Sequence, residues 1–309
     1  MAPRDSGLQN QPNDQVEVPT IMRALDPEVK DAIWQAVKCH IPKPLDTHPL
    51  GCHRMRTSDR ICFEGIMIRL ATGCSWEDAE RLIGKVVSDT TLRSRRDEWV
   101  EAGVFDRLVK EAEEAYDRII GLDLSETAVD GSLHKSPCGG EGTGKNPTDR
   151  AKLGWKWSIL TDKVGIPISW AIDGANRNDV KMFAPTLDAA GEAGLLADIE
   201  TLHLDRGYDS DGIRQSCKDH ELDDVVIARK AKRGKKKAPV KAAKSHTLGL
   251  RWPVERTNSW LSNFGQLRRN TDRKNIHRLA QLALAVTVLL TAKLIDHRNR
   301  WSPAVPPIC

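Results

Sequence analysis

Three strand patterns stand between Gly121 and Ile172 before any helical pattern returns, and that order restricts the fold more than any other feature of the chain. Glu126–Gly131 (ETAVDG), Trp155–Thr161 (WKWSILT) and Ile166–Ile172 (IPISWAI) are short and rich in β-branched and aromatic residues. Asp162-Lys163-Val164-Gly165 predicts a hairpin turn between the second and third. Beyond them the spacing predicts a helix over 179–190, a strand Glu200–Leu204, a helix over 211–218 and a strand over 225–228. A three-strand meander followed by alternating helices and strands is the order of a ribonuclease-H-like α/β domain. Such a domain has a mixed five-stranded sheet in which the first and fourth strands are neighbours.

The residues ahead of Gly121 read as helix throughout. Ser58 is a predicted N-cap for a helix through Ala71, which Gly73 ends. Ser75 and Asp78 form a capping-box pattern for a short helix closed by Gly84. Ser88 or Asp89 caps a third helix to about Glu101, with Arg93, Arg95 and Arg96 near its start. Helix, glycine turn, helix and basic helix is the arrangement of a helix-turn-helix DNA reader; a purely structural bundle is the alternative. The expected organisation is a leader over 1–20, a helical DNA-binding domain over 21–121, and a catalytic domain over 122–300. The last carries a basic insert at 229–249 and is followed by a tail over 301–309.

Composition narrows the class further. A hydrophobic fraction of 39% supports a real core. Seven cysteines, an odd number, follow twenty polar residues that have no apolar secretion core, a pattern expected of a reducing cytoplasm. The most apolar run, Leu279 to Ala292, has 14 residues without a charge, against the roughly 20 of a membrane span. It is expected to be a buried helix in a soluble protein with no membrane partner. Two final helices are predicted, over Pro253–Arg268 and Ile276–Ile295. Cys39, His40, His48, Cys52 and His53 lack the short paired spacing of a structural zinc site.

The chemistry is carried by acids. Cutting a phosphodiester without an organic cofactor calls for two divalent ions about 3.5–4 Å apart, and magnesium prefers carboxylate oxygens. Asp130 sits inside an apolar strand, where an acid is unfavourable unless it faces a site or water. Asp205 ends the fourth strand, and ligand sites in open α/β sheets favour such strand ends. Glu255 falls in the first turn of a helix opened by Pro253 and points away from the stripe Trp260, Leu261, Phe264 and Leu267. Each has an ordinary alternative: a turn acid, a turn cap, or a partner for Arg251. Asp149, Asp162, Asp173, Asp179 and Asp209 read as acids outside this constellation. The stretch 229–244 holds nine Lys or Arg, including Lys235, Lys236 and Lys237, and no acid. It lies between two of the candidate acids and is expected to contact DNA phosphates.

At these residues the chain resembles DDE-type transposases of the bacterial insertion sequence five family, over roughly His48 to Ile295. The resemblance rests on Val129-Asp130-Gly131-Ser132, on Asn146-Pro147-Thr148-Asp149-Arg150 with Lys152 and Gly154, and on Leu204-Asp205-Arg206-Gly207-Tyr208-Asp209. Arg251-Trp252-Pro253-Val254-Glu255-Arg256-Thr257-Asn258-Ser259-Trp260-Leu261 completes it. It implies a DNA endonuclease that cuts at the terminal inverted repeats of its element and joins the 3′ ends to target DNA. Asp130, Asp205 and Glu255 match the catalytic triad, which implies two Mg²⁺ ions with Mn²⁺ as a substitute. Double-stranded DNA is the implied partner, and a homodimer or higher assembly on DNA in the bacterial cytoplasm, at the nucleoid, is expected. Arg150, Lys152, Arg206, Arg251, Arg256, Arg268 and Arg269 are expected DNA contacts. Leu248 and Ser262 replace the family's Tyr and Lys around the last acid, so contacts made there do not carry over. A non-catalytic DNA-binding repressor and a nuclease without strand transfer are the competing readings.

Overall fold

A computed structural model describes residues 20–43, 56–227 and 251–301. The expectations for the leader, for the insert with Lys235, Lys236, Lys237 and Leu248, for His48, Cys52 and His53, and for the last eight residues lie outside these.

The first part is helical: α1 (Thr20–Leu25), α2 (Pro27–Val37), α3 (Asp59–Thr72), α4 (Trp76–Leu82), α5 (Asp89–Glu101) and α6 (Val104–Ile119). Ser58 stands at the N-cap position of α3 but makes no side-chain capping bond, and the other caps are those expected. Ser75 accepts the Asp78 N–H at 3.0 Å and Ser88 that of Thr91 at 3.3 Å, while Gly73 ends α3 in the left-handed conformation.

The second part is built on β1 (Thr127–Lys135), β2 (Gly144–Lys145), β3 (Leu153–Thr161), β4 (Pro167–Gly174), β5 (Leu202–Leu204) and β6 (Val225–Ile227). The path across the sheet is β4-β3-β1-β5-β6. Antiparallel pairing joins β1, β3 and β4, and parallel pairing joins β1, β5 and β6. Two-residue β2 adds to the start of β3. It makes a sixth strand that the glycine-rich loop did not announce, because two residues carry no period.

Helices α7 (Asp179–Glu192), α8 (Asp211–Asp219), α9 (Trp252–Ser262), α10 (Gly265–Arg268) and α11 (Asn275–Trp301) complete the described chain. The helix expected over 253–268 is two. Phe264 is extended and fully buried, and Gly265 lies backbone to backbone against Thr72 and Gly73, where any Cβ would overlap. That contact forces the break.

Strand alternation sends Trp155, Trp157 and Ile159 to one face and Leu160 to the other. The first face joins Phe63, Met67, Trp99, Leu261, Phe264 and the buried stripe of α11 in one apolar cluster. On the other face Val129, Leu160 and Leu204 pack with Phe183, Leu187 and Tyr208. A chain boundary near residue 121 therefore does not separate two cores: α11 closes the helical layer against α6 and α2. The apolar run 279–292 is the centre of this buried helix, as expected; the whole of α11, by length and composition alone, would suit a membrane span.

Candidate active site

In the parallel pair β1–β5, Val129 stands opposite Leu204. The next residues along the chain are Asp130, still in β1, and Asp205, just past the end of β5, so the strand pairing brings the first two acids to the same end of neighbouring strands. Asp205 accepts the N–H of Arg206 at 2.5 Å and caps the tight turn Arg206–Tyr208. Its turn-cap role and its place in the acid group are thus the same geometry.

Glu255 arrives on the first turn of α9, and that helix is tied down at several points. The Thr257 hydroxyl donates to the Gly165 carbonyl in the β3–β4 turn, and Arg256 Nη2 donates to the Val164 carbonyl at 2.6 Å. Asn258 Nδ2 donates to Asp130 Oδ2 at 3.1 Å. Arg251 lies between the other two acids, with Nη1 3.2 Å from Asp205 Oδ1 and Nη2 3.0 Å from Glu255 Oε1. Glu255 does pair with Arg251, as its ordinary alternative foresaw, but as one side of a three-residue clamp.

Burial pushes the Asp130 carboxyl up to about 6. The Gly131 N–H and Arg251 pull it back, while Asp179 and Glu255 push it further upward. Asp179 is closer to the group than its sequence position indicated. Its carboxylate lies where a Cβ on Gly131 would sit, held by Lys156 Nζ at 2.8 Å. Lys156 is itself buried, which a strand pattern cannot reveal. Beneath the acids lies Tyr208, whose buried hydroxyl has no hydrogen-bond partner among the described residues. Burial, with Asp179, Asp130 and Asp205 nearby, drives that phenol well upward.

Among the described residues no three His, Cys, Asp or Glu side chains form a ready cage for an ion. The donor chemistry nonetheless fits a hard divalent cation: Asp205 and Glu255 pair with one positive group, whose charge also reaches the Asp130 carboxyl. The Arg251 guanidinium stands between the first two as a cation would.

The basic residues divide sharply. Arg95 and Arg96 do not face outward: they are 5% and 7% exposed. Arg95 pairs with Asp59 and Glu98, and Arg96 with Asp97 and with Asp272 at 3.1 Å. The expected DNA contacts at these two positions are corrected to interior ion pairs, because the helix turns them toward α3 and the Asp272 loop. Arg93 is exposed and pairs with Asp89 at 3.0 Å. Arg256 stacks between Trp252 and Trp260, 4.3 and 4.5 Å from their ring centres. Arg150, Lys152, Arg206, Arg268 and Arg269 are exposed. A bridge from Arg269 to Lys135 brings the 268–269 pair alongside the end of β1.

A sheet in this order, with acids drawn from the first strand, the end of its parallel neighbour and a later helix, defines a ribonuclease-H-like domain with a carboxylate site. The comparisons with known proteins make this specific. The family model "Transposase DDE domain" matches residues 121–290, and "Putative transposase of IS4/5 family" matches 29–109. The chain belongs to the DDE transposase family. It is 38% identical over 141 residues to "Putative transposase for insertion sequence element IS402" of Burkholderia cepacia, covering 44% of this chain and 62% of that protein. It is also 30% identical over 121 residues to an IS402 uncharacterized 16.2 kDa protein of the same organism, covering 39% of this chain and 82% of that protein.

Proposed function

We propose that this chain cuts DNA at the terminal inverted repeats of an insertion sequence and joins the freed 3′ ends to target DNA, with Asp130, Asp205 and Glu255 as its catalytic carboxylates. The observation that carries the reading is the meeting of β1, the end of β5 and the first turn of α9, with Arg251 between two of the acids. Mg²⁺, or Mn²⁺ in its place, supplies charge neutralisation and activation of the attacking oxygen when bound. Asp130, on the central strand, Asp205 and Glu255 are the residues that would hold the ions.

The same site serves both steps. Water is the first nucleophile and leaves a 3′-hydroxyl, which then attacks the target phosphodiester. One ester is exchanged for another in the joining step, so no energy-rich cofactor is required. Arg150, Lys152, Arg206, Arg268 and Arg269 are proposed phosphate contacts on the exposed rim, and Arg93 is the proposed contact of the helical part. Cutting two ends in one event calls for a dimer or larger assembly on DNA.

The test compares wild type with Asp130→Asn on DNA carrying the terminal repeats. The variant should bind the ends and lose Mg²⁺-dependent nicking and joining. A wild type that binds ends yet never cuts in Mg²⁺ or Mn²⁺ would make the protein a non-catalytic binder. Cutting without joining would make it a nuclease.

A further inference from the structure

One polar side chain that the transposase reading leaves without a role is Asn258. It is 8% exposed, stands one helical turn beyond Glu255, and touches two groups. Trp157 Nε1 lies 2.8 Å from Asn258 Oδ1, and Asn258 Nδ2 lies 3.1 Å from Asp130 Oδ2. The orientation of the amide follows from donor chemistry. An indole N–H can only donate, so the amide must turn its oxygen to Trp157 and its NH₂ to Asp130. Trp157 has no freedom to spoil this: it is fully buried and stacked on His134 with ring centres 3.5 Å apart and 24° between planes.

We infer that Asn258 is a positioning residue for Asp130, oriented by the Trp157 indole, and that this relay fixes the first acid relative to the helix bearing the third. The inference rests on the reading of Asp130 as an ion-holding carboxylate. Two consequences follow from the geometry. One lone pair of Asp130 Oδ2 is committed to the amide, so the carboxylate plane is set before any ion arrives. The same amide pins α9 to β1, so Glu255 and Asp130 keep their separation when Arg251 moves. Partners of this kind orient ligating groups, and their loss commonly weakens metal affinity by about 10–100-fold.

The test measures Mn²⁺ binding by electron paramagnetic resonance on the full chain with terminal-repeat DNA, alongside DNA affinity and thermal melting. Asn258→Leu keeps the volume and removes the donor. It should weaken Mn²⁺ binding by about tenfold or more without changing DNA affinity. Trp157→Phe should act in the same direction and more weakly. The double variant should bind Mn²⁺ no worse than Asn258→Leu alone, because both remove one relay; a packing role would instead give additive losses. If Asn258→Leu does not fold, Asn258→Ser and Trp157→Phe decide: weakened Mn²⁺ binding supports the relay, and wild-type binding in both overturns it. Asp130→Asn separates the two claims. Should Asp130→Asn lose Mn²⁺ while Asn258→Leu binds as wild type, the positioning role is wrong and the site stands. Should Asp130→Asn bind as wild type, the site reading fails and takes the relay with it.

Discussion

Asp272 and Asp130 are both acids beside arginine, and their surroundings set them to opposite purposes. Asp272 is 8% exposed and faces two guanidinium groups, Arg96 at 3.1 Å and Arg69 at 3.6 Å, with Gln266 at 3.1 Å and Gln281 completing its shell. Burial alone would raise its carboxyl; Arg96 and Arg69 outweigh that and hold it below its ordinary range. Asp130 shares a single arginine with Asp205 and Glu255, and burial leaves it raised. With Asp97 also on Arg96, the first cluster has its charges balanced and both Asp272 oxygens engaged, so it holds helices together. The second has acid in excess, which is a standing demand for cations. Charge balance, more than burial, distinguishes a structural cluster from a site.

Breaking the structural side of this comparison should produce the largest effect. Asp272→Ala strands Arg69 without a counter-charge and leaves Arg96 with Asp97 alone, and should cost about 3–5 kcal/mol of folding stability in urea or thermal unfolding. The pH sign follows from the depressed carboxyl. Its contribution is present above the unfolded value, near 3.9, and is lost as pH falls through the lower folded value. The variant should therefore lose less stability than wild type on strong acidification. A loss near zero would mean the cluster is not structural.

These two clusters were unequally legible in the sequence. The helices before Gly121 announced their ends through Ser75, Ser88 and Gly73, whose local chemistry the fold retains. Strand order followed from pattern, and with it the neighbourhood of Asp130 and Asp205. Arg95 and Arg96 were misread because their partners, Asp59 and Asp272, lie on other elements, and helical spacing does not say which face a bundle buries. The shared core across residue 121 was hidden for a related reason: the inward face of β3 and the faces of α3 and α11 meet only in three dimensions. Asn258 had a faint signal, one turn from Glu255, but its meaning depends on Trp157, about a hundred residues earlier.

An intermediate effect, of opposite sign, is expected at the other acid. Asp130→Asn should stabilise the ion-free chain by roughly 1–3 kcal/mol at pH 7, taking about 1.36 kcal/mol per pKa unit. A raised folded value means that Asp130 supports the fold fully only below about 3.9, and that this support is lost as pH rises through about 6. The gap between variant and wild type should open between those values and stay level above them. Unfolding curves at pH 4, 5, 6 and 7 check it. A destabilised variant at pH 7 would place Asp130 with Asp272 as a structural acid.

The smallest effect should come from Arg251→Gln, and it bears on the comparison most finely. The side chains of Arg251, Asp205 and Glu255 are 32%, 42% and 55% exposed, so water already screens the clamp. Its removal should cost less than about 1 kcal/mol, and the cost should shrink as salt is raised. Yet the variant leaves the acids without their internal cation, so Mn²⁺ should raise its melting temperature more than it raises that of wild type. Asp272→Ala, whose cavity offers two arginines and one lost acid, should show no such gain. Melting curves with and without Mn²⁺ read both. If Arg251→Gln loses as much stability as Asp272→Ala and gains nothing from Mn²⁺, the acids around Arg251 are a second structural closure, and the distinction drawn from charge balance fails.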